Sequence, residues 1–209
     1  MSDLELLQHA HAGRAFSLAR LRFGLSVDGD TATVAIAGSD DLRDWWRNLS
    51  TDLVEWPRSG PGLVHLGFWE GAEVLFRFVW TRTRFKRVRL TGYSQGGAIA
   101  MLLALALHES GRDVVEVSTY GAPRVGDAEF CSSYPLPVTA YRCGHDPIPR
   151  LPRFGRRLTN SGRGRWVQYA HVATPQNLPS QLGWRRFLPW TWPQDHLLPA
   201  YLAAKGLRK

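Results

Sequence analysis

At 209 residues and 44% hydrophobic content, the chain has the size and composition of one soluble globular domain with a single substantial core. The longest apolar run, within Ala98 to Leu107, is too short to cross a bilayer, and Met1 to His11 lacks the basic-then-apolar pattern of a secretory leader. The net charge of +8 is lopsided, because residues 142–209 hold 12 Lys/Arg against 2 Asp/Glu while residues 1–141 hold 14 against 16. Cytoplasmic residence is therefore the expectation, with release by lysis or a signal-independent route as the other course. Cys131 and Cys143 show no C-x-x-C or zinc-like spacing and read as two reduced thiols, a single disulfide being the other reading. No metal and no cofactor is expected.

In chain order, Ala15–Gly24 and Thr31–Ala37 read as two strands joined through the polar turn Val27-Asp28-Gly29-Asp30. Asp41–Leu49 carries Leu42, Trp45, Trp46 and Leu49 at helical spacing, and the Pro/Gly-rich stretch Pro57–Gly62 ends that segment. His65–Thr81 follows as a long amphipathic helix. Val88–Ala100 then reads as a strand, a tight turn and the start of a helix that is apolar on most sides as far as Ser110. A strand at Val114–Tyr120, a loop with a short helix, and a strand at Val138–Arg142 come next. The last 65 residues read as irregular and rich in Pro, Gly and Trp. Strands alternating with helices imply parallel pairing, so the expected fold class is α/β, a mostly parallel doubly wound sheet with antiparallel opening strands.

The turn between strand and buried helix is Gly92-Tyr93-Ser94-Gln95-Gly96, a G-x-S-x-G elbow that bends the backbone sharply and presents the Ser94 hydroxyl above the sheet. A serine hydroxyl is a poor nucleophile unless a histidine takes its proton and a carboxylate orients that histidine. In α/β-hydrolases the acid and then the histidine follow the serine along the chain. Asp127, Asp146 and Asp195 are the aspartates beyond residue 113, and Asp146 is favoured because it leaves a strand just before Pro147-Ile148-Pro149. His196, next to Asp195 and ahead of a helical stretch Leu197–Leu207, is the expected base, with His171 as runner-up. The developing oxyanion needs two donors: the Gln95 amide is one, and Ser39, after the strand ending Ile36-Ala37-Gly38, is the other.

Several segments together resemble the class 3 lipase family, also called the fungal triacylglycerol lipase family. Ala37-Gly38-Ser39 with Trp45 and Leu49 is similar to the family's R-G-T/S and D-W segment, and Val64–Phe68 to its V-H-x-G-F. Thr119–Asp127 resembles T-F-G-x-P-R-V-G-N, His145–Pro152 resembles the D-P-V-P-x-L-P that carries the catalytic aspartate, Tyr169–Val172 resembles Y-x-H-V, and Asp195-His196 with Tyr201 resembles D-H-x-x-x-x-Y. The resemblance implies the α/β-hydrolase fold and a Ser94-Asp146-His196 triad. It also implies a carboxylic-ester hydrolase acting on glycerolipid acyl esters. Ala37 replaces the usual arginine, and Tyr93-Ser94-Gln95-Gly96 replaces the usual H-S-L-G, nearer to cutinases and small esterases. Phospholipase or cutinase-like activity is the neighbouring alternative, and a non-catalytic membrane or nucleic-acid binding protein the distant one.

Trp45, Trp46 and Trp56 flank the segment after the Ser39 strand and are the candidates for a short lid or acyl pocket. Arg150, Arg153, Arg156, Arg157, Arg163 and Arg165, interleaved with Gly and Pro, read as a loop, with Trp184, Trp190 and Trp192 close behind. Arginine beside tryptophan suits peripheral contact with an anionic lipid interface. No nucleic acid is the expected partner.

Overall fold

The computed structural model describes residues 3–11, 16–18, 21–38, 51–82, 85–183, 185 and 188–206. The expected Asp41–Leu49 helix, Ser39, Trp45, Trp46 and Trp184 lie outside the described residues, as do the side chains of Trp190 and Trp192.

Strands β1 (Phe16–Leu18), β2 (Leu21–Asp28) and β3 (Thr31–Ile36) open the sheet as an antiparallel meander, with Gly29-Asp30 as the two-residue turn between Asp28 and Thr31. The expected hairpin is thus present. Its first strand is split in two. From β3 onward the sheet is parallel: β6 (Arg87–Tyr93), β7 (Asp113–Tyr120), β9 (Val138–Cys143) and β12 (Gln176–Leu178) complete the order β1-β2-β3-β6-β7-β9-β12. A mostly parallel sheet must be covered on both faces, and the alternation of buried side chains shows how. Val34, Ile36, Val88 and Leu90 face a core built with the helices Leu66–Arg82 and Gln95–Glu109. The intervening Ala35 and, further along, Tyr93 face the other way, onto the helices Asp3–His11 and Leu198–Ala204. The Asp3–His11 helix was not among the expected elements. The Gln95–Glu109 helix has an unbroken buried run from Gly96 to Leu107, which is why it reads as apolar all round.

The irregular C-terminal third expected from its Pro and Gly content is not what forms. β10 (Phe154–Thr159) and β11 (Gly162–Ala170) make an antiparallel hairpin. With β4 (Asp52–Glu55), β5 (Leu63–His65) and β8 (Gly126–Asp127) they close a small five-stranded barrel. Its interior is Leu53, Leu63 and Tyr169, with Val167 against them. Arg156 and Arg157 therefore lie on a strand held by β4 partners 104 positions away, and Arg163 and Arg165 on the strand paired with it, an arrangement that local composition does not reveal. Among the described residues no helix is long and apolar enough to cross a membrane.

Candidate active site

Ser94 caps the Gln95–Glu109 helix at φ 55°, ψ −127°, the one positive-φ non-glycine residue among those described. A side chain there costs about 1–3 kcal/mol and persists only where the surroundings hold it. The holding bonds are Ser94 N–H to the Tyr120 carbonyl (2.8 Å) and Gly97 N–H to the Ser94 carbonyl (2.9 Å). They pin the turn between β7 and the helix, so the hydroxyl stays above the C-terminal edge of the sheet.

The structure brings His196, not His171, to that hydroxyl. His196 Nε2 lies 2.8 Å from Ser94 Oγ, and Nδ1 lies 2.7 Å from Asp146 Oδ2. In the tautomer whose Nδ1–H donates to Asp146, Nε2 is left to accept the serine proton. Ser94 (3% exposed), His196 (1%) and Asp146 (0%) are all buried, so these bonds act with little competition from water. The Asp146 carboxylate is fully partnered: Oδ1 accepts Ile148 N–H at 2.9 Å, and Oδ2 accepts the Tyr201 hydroxyl as well as His196. The first bond closes an Asx-type turn across Pro147.

Two tyrosines and a second aspartate were not assigned a place in the site by sequence reasoning. Tyr93, inside the elbow, donates its hydroxyl to the His196 carbonyl and stacks against the imidazole with centroids 5.2 Å apart. Burial first, and the Asp146 charge second, push the phenols of Tyr93 and Tyr201 well above their usual range, so both remain donors at any physiological pH. Asp195, fully buried, accepts Ser180 Oγ–H (2.8 Å) and His145 N–H (2.9 Å), which ties the 3₁₀ segment Pro189–His196 to the loop after β9. The Tyr93 and Asp195 positions were visible as neighbours of Ser94 and His196, but their partners are about 100 and 15–50 residues away. Asp127, the discarded acid, is structural: its Oδ1 accepts Phe130 N–H and Leu63 N–H.

Of the two expected oxyanion donors, Gln95 is the first residue of the helix, directly after Ser94. Gly38 lies against the elbow, where a Cβ would come within 2.9 Å of Ser94 Cβ. Trp56 corrects the lid expectation. It packs edge-on against Trp69 with centroids 4.9 Å apart, touches Phe130, and donates Nε1–H to Glu109 Oε1 at 3.0 Å. Glu109 ends the helix that Ser94 begins, about 20 Å away along its axis, so Trp56 is a core residue remote from the nucleophile. Both cysteines are free and buried, and burial followed by nearby aspartate charge pushes each thiol up to about 12. No cluster of His, Cys, Asp or Glu among the described residues could hold a metal ion.

His171 follows the end of β11, where burial first and the Arg124 charge second lower its pKa to about 4, against a backbone hydrogen bond involving Pro149. The unfolded chain, at about 6.5, binds the proton first, so stability is complete above about pH 6.5 and is lost as pH falls towards 4. Urea unfolding midpoints measured across that window are expected to fall less steeply in His171→Gln than in the parent.

A model of the class 3 lipases matches residues 33–155, more than half of the chain. The chain belongs to the class 3 lipase family. Among curated relatives, a lipase of Rhizomucor miehei is 30% identical over 185 residues, covering 80% of the chain and 51% of the relative. A secreted mono- and diacylglycerol lipase of Fusarium solani is 36% identical over 145 residues, covering 61% and 41%. The chain thus spans about half the length of the curated relatives it matches. The solved triacylglyceride lipase of Rhizomucor miehei superposes with a TM-score of 0.58 at 24% identity, over 87% of this chain and 76% of that one, which shows the α/β-hydrolase fold. The expectation of cytoplasmic residence is overturned by the Fusarium relative, which is named as secreted.

Proposed function

We propose that this chain is an extracellular serine carboxylic-ester hydrolase that cleaves glycerolipid acyl esters through an acyl-enzyme. The observation that carries this reading is the continuous buried chain of short hydrogen bonds from Ser94 through His196 to Asp146. Ser94 Oγ attacks the acyl carbonyl and passes its proton to His196 Nε2, while Asp146 steadies the imidazolium that forms. The Gln95 amide and Ser39 hold the oxyanion of the tetrahedral intermediate. Collapse of that intermediate breaks the ester bond, and the leaving alkoxide takes the proton from His196. Water, activated by the same histidine, then releases the fatty acid and restores Ser94.

Tyr93 and Tyr201 serve as positioning residues, one on the base and one on the acid. The relatives named as mono-, di- and triacylglyceride lipases support a glycerolipid substrate. Contact with an anionic lipid interface through the C-terminal arginine- and aromatic-rich region belongs to the same reading.

A fluorophosphonate probe tests it. Covalent labelling is expected at Ser94 by peptide mapping and is expected to vanish in Ser94→Ala. Release of fatty acid from triolein or diolein, faster than from phosphatidylcholine or a polyester film, supports the glycerolipid assignment. Labelling elsewhere, or none, would sink the triad.

A further inference from the structure

The β10–β11 hairpin turns one face inward and one to solvent. Val167 and Tyr169 point into the barrel core with Leu53 and Leu63, bracing the hairpin from behind. The register pairs Phe154 with Gln168 and Arg156 with Trp166, so these four share the outward face. Trp166 at 61% and Phe154 at 51% are the two most exposed large hydrophobic side chains among the described residues. Neither placement is explained by the ester-cleaving site. The Arg156 guanidinium sits 4.6 Å from the centroid of the Trp166 ring, which keeps cation and indole side by side. From Pro147 to Ala170 there are six arginines and no carboxylate. Arg157 and Arg163 are paired with Glu55 and Asp52 of β4, whereas Arg150, Arg153 and Arg156 have no ion-pair partner among the described residues.

We propose that this outward hairpin face docks the protein on an anionic phospholipid surface, with Trp166 and Phe154 entering the headgroup region and Arg156 meeting the phosphates. Exposed indole and phenyl rings gain by leaving water at a bilayer interface, and unpaired arginines are drawn to its negative potential. Nucleic acid is disfavoured by the same geometry, because Arg156 covers a face of the indole on which a base would stack. The proposal rests on the ester-hydrolase reading only in making lipid the natural surface. Docking itself needs no turnover.

The experiment uses the Ser94→Ala protein, so that no lipid is consumed, in sedimentation with vesicles of phosphatidylcholine or of equal parts phosphatidylcholine and phosphatidylglycerol. Binding to the anionic vesicles alone, weakened by salt, is expected. Loss of one cationic charge near such a surface weakens binding about fivefold, so Arg156→Glu, a change of two charges, is expected to weaken it roughly twentyfold. Trp166→Ala is expected to cost about fivefold through lost apolar burial, and Arg156→Lys to leave binding nearly intact. The same substitutions in the Ser94 protein are expected to leave hydrolysis of a soluble short-chain ester unchanged, which also certifies their fold. Equal vesicle binding by Arg156→Glu, Trp166→Ala and the parent would overturn the proposal, as would binding to duplex DNA without binding to vesicles. Vesicle binding with no ester hydrolysis by the Ser94 protein would retain the docking face and remove the hydrolase reading. Hydrolysis without vesicle binding would do the reverse.

Discussion

Ser94→Ala is expected to lower kcat for a soluble chromogenic ester by about a million-fold, with KM little changed and the melting temperature the same or slightly higher. Among the described residues the Ser94 hydroxyl is the group hydrogen-bonded to His196 Nε2, so without it no acyl-enzyme forms and the remaining donors act on water alone. Asp146→Asn is expected to cost less, about 10⁴ in kcat, because an amide at that position lets the imidazole take the other tautomer. Combining the two changes is expected to add almost nothing to the Ser94→Ala loss, since the residues act as a unit. Alanine takes up φ 55° no more easily than serine, so any gain in stability reflects only the loss of a buried hydroxyl. Steady-state kinetics beside thermal unfolding of the same preparations check all three statements. A kcat for Ser94→Ala within tenfold of the parent would remove the serine from the chemistry.

Gly96→Ala is expected to be among the most destabilising single substitutions in the chain. A Cβ on Gly96 would lie 2.2 Å from the Ile36 carbonyl oxygen and 2.4 Å from that of Ala37. Both are backbone atoms at the end of β3, so no rotamer change relieves the contact, and either the helix start or the strand end has to move. Overpacking of this kind costs about 3 kcal/mol, which for a domain of this length lowers the melting temperature by roughly 6–12 °C. The displaced strand end leads to Gly38 and on to Ser39, so kcat is expected to fall as well, through displacement of the proposed oxyanion donor. Differential scanning calorimetry with the ester assay measures both effects. Gly29→Ala is the comparison: no atom lies within 4 Å of a Cβ at that turn, so its cost comes from φ +58° alone.

These two positions show why the elbow could be read before the fold was seen. Strand, tight turn and helix are local, and Gly92 is demanded by the Gly96 and Gly97 backbone of the same short segment, whereas Gly96 is demanded by the Ile36 and Ala37 backbone about 60 positions earlier. Asp146 was legible from the strand before it and Pro147-Ile148-Pro149 after it, while its Asx-type turn onto Ile148 was visible only in the fold. His196 was chosen by its late place in the chain, and His171 stayed open until the geometry separated them. Trp56 was misread because a tryptophan near a Pro/Gly loop carries no local mark of the core into which it folds. It is held by Trp69, Phe130 and Glu109, all distant in sequence.

Short-range stereochemistry therefore made the Ser94 elbow, the antiparallel opening and the parallel sheet readable from residue order alone, while the order of acid and base was read from the chain order of α/β-hydrolases. Tertiary structure alone decided which histidine reaches Ser94, that Tyr93 and Tyr201 brace the base and the acid, and that the arginines of the C-terminal third stand on a barrel hairpin. Each of these depends on partners brought together across about 50 to 120 residues, and strand pairing at that separation leaves no periodicity in the local sequence.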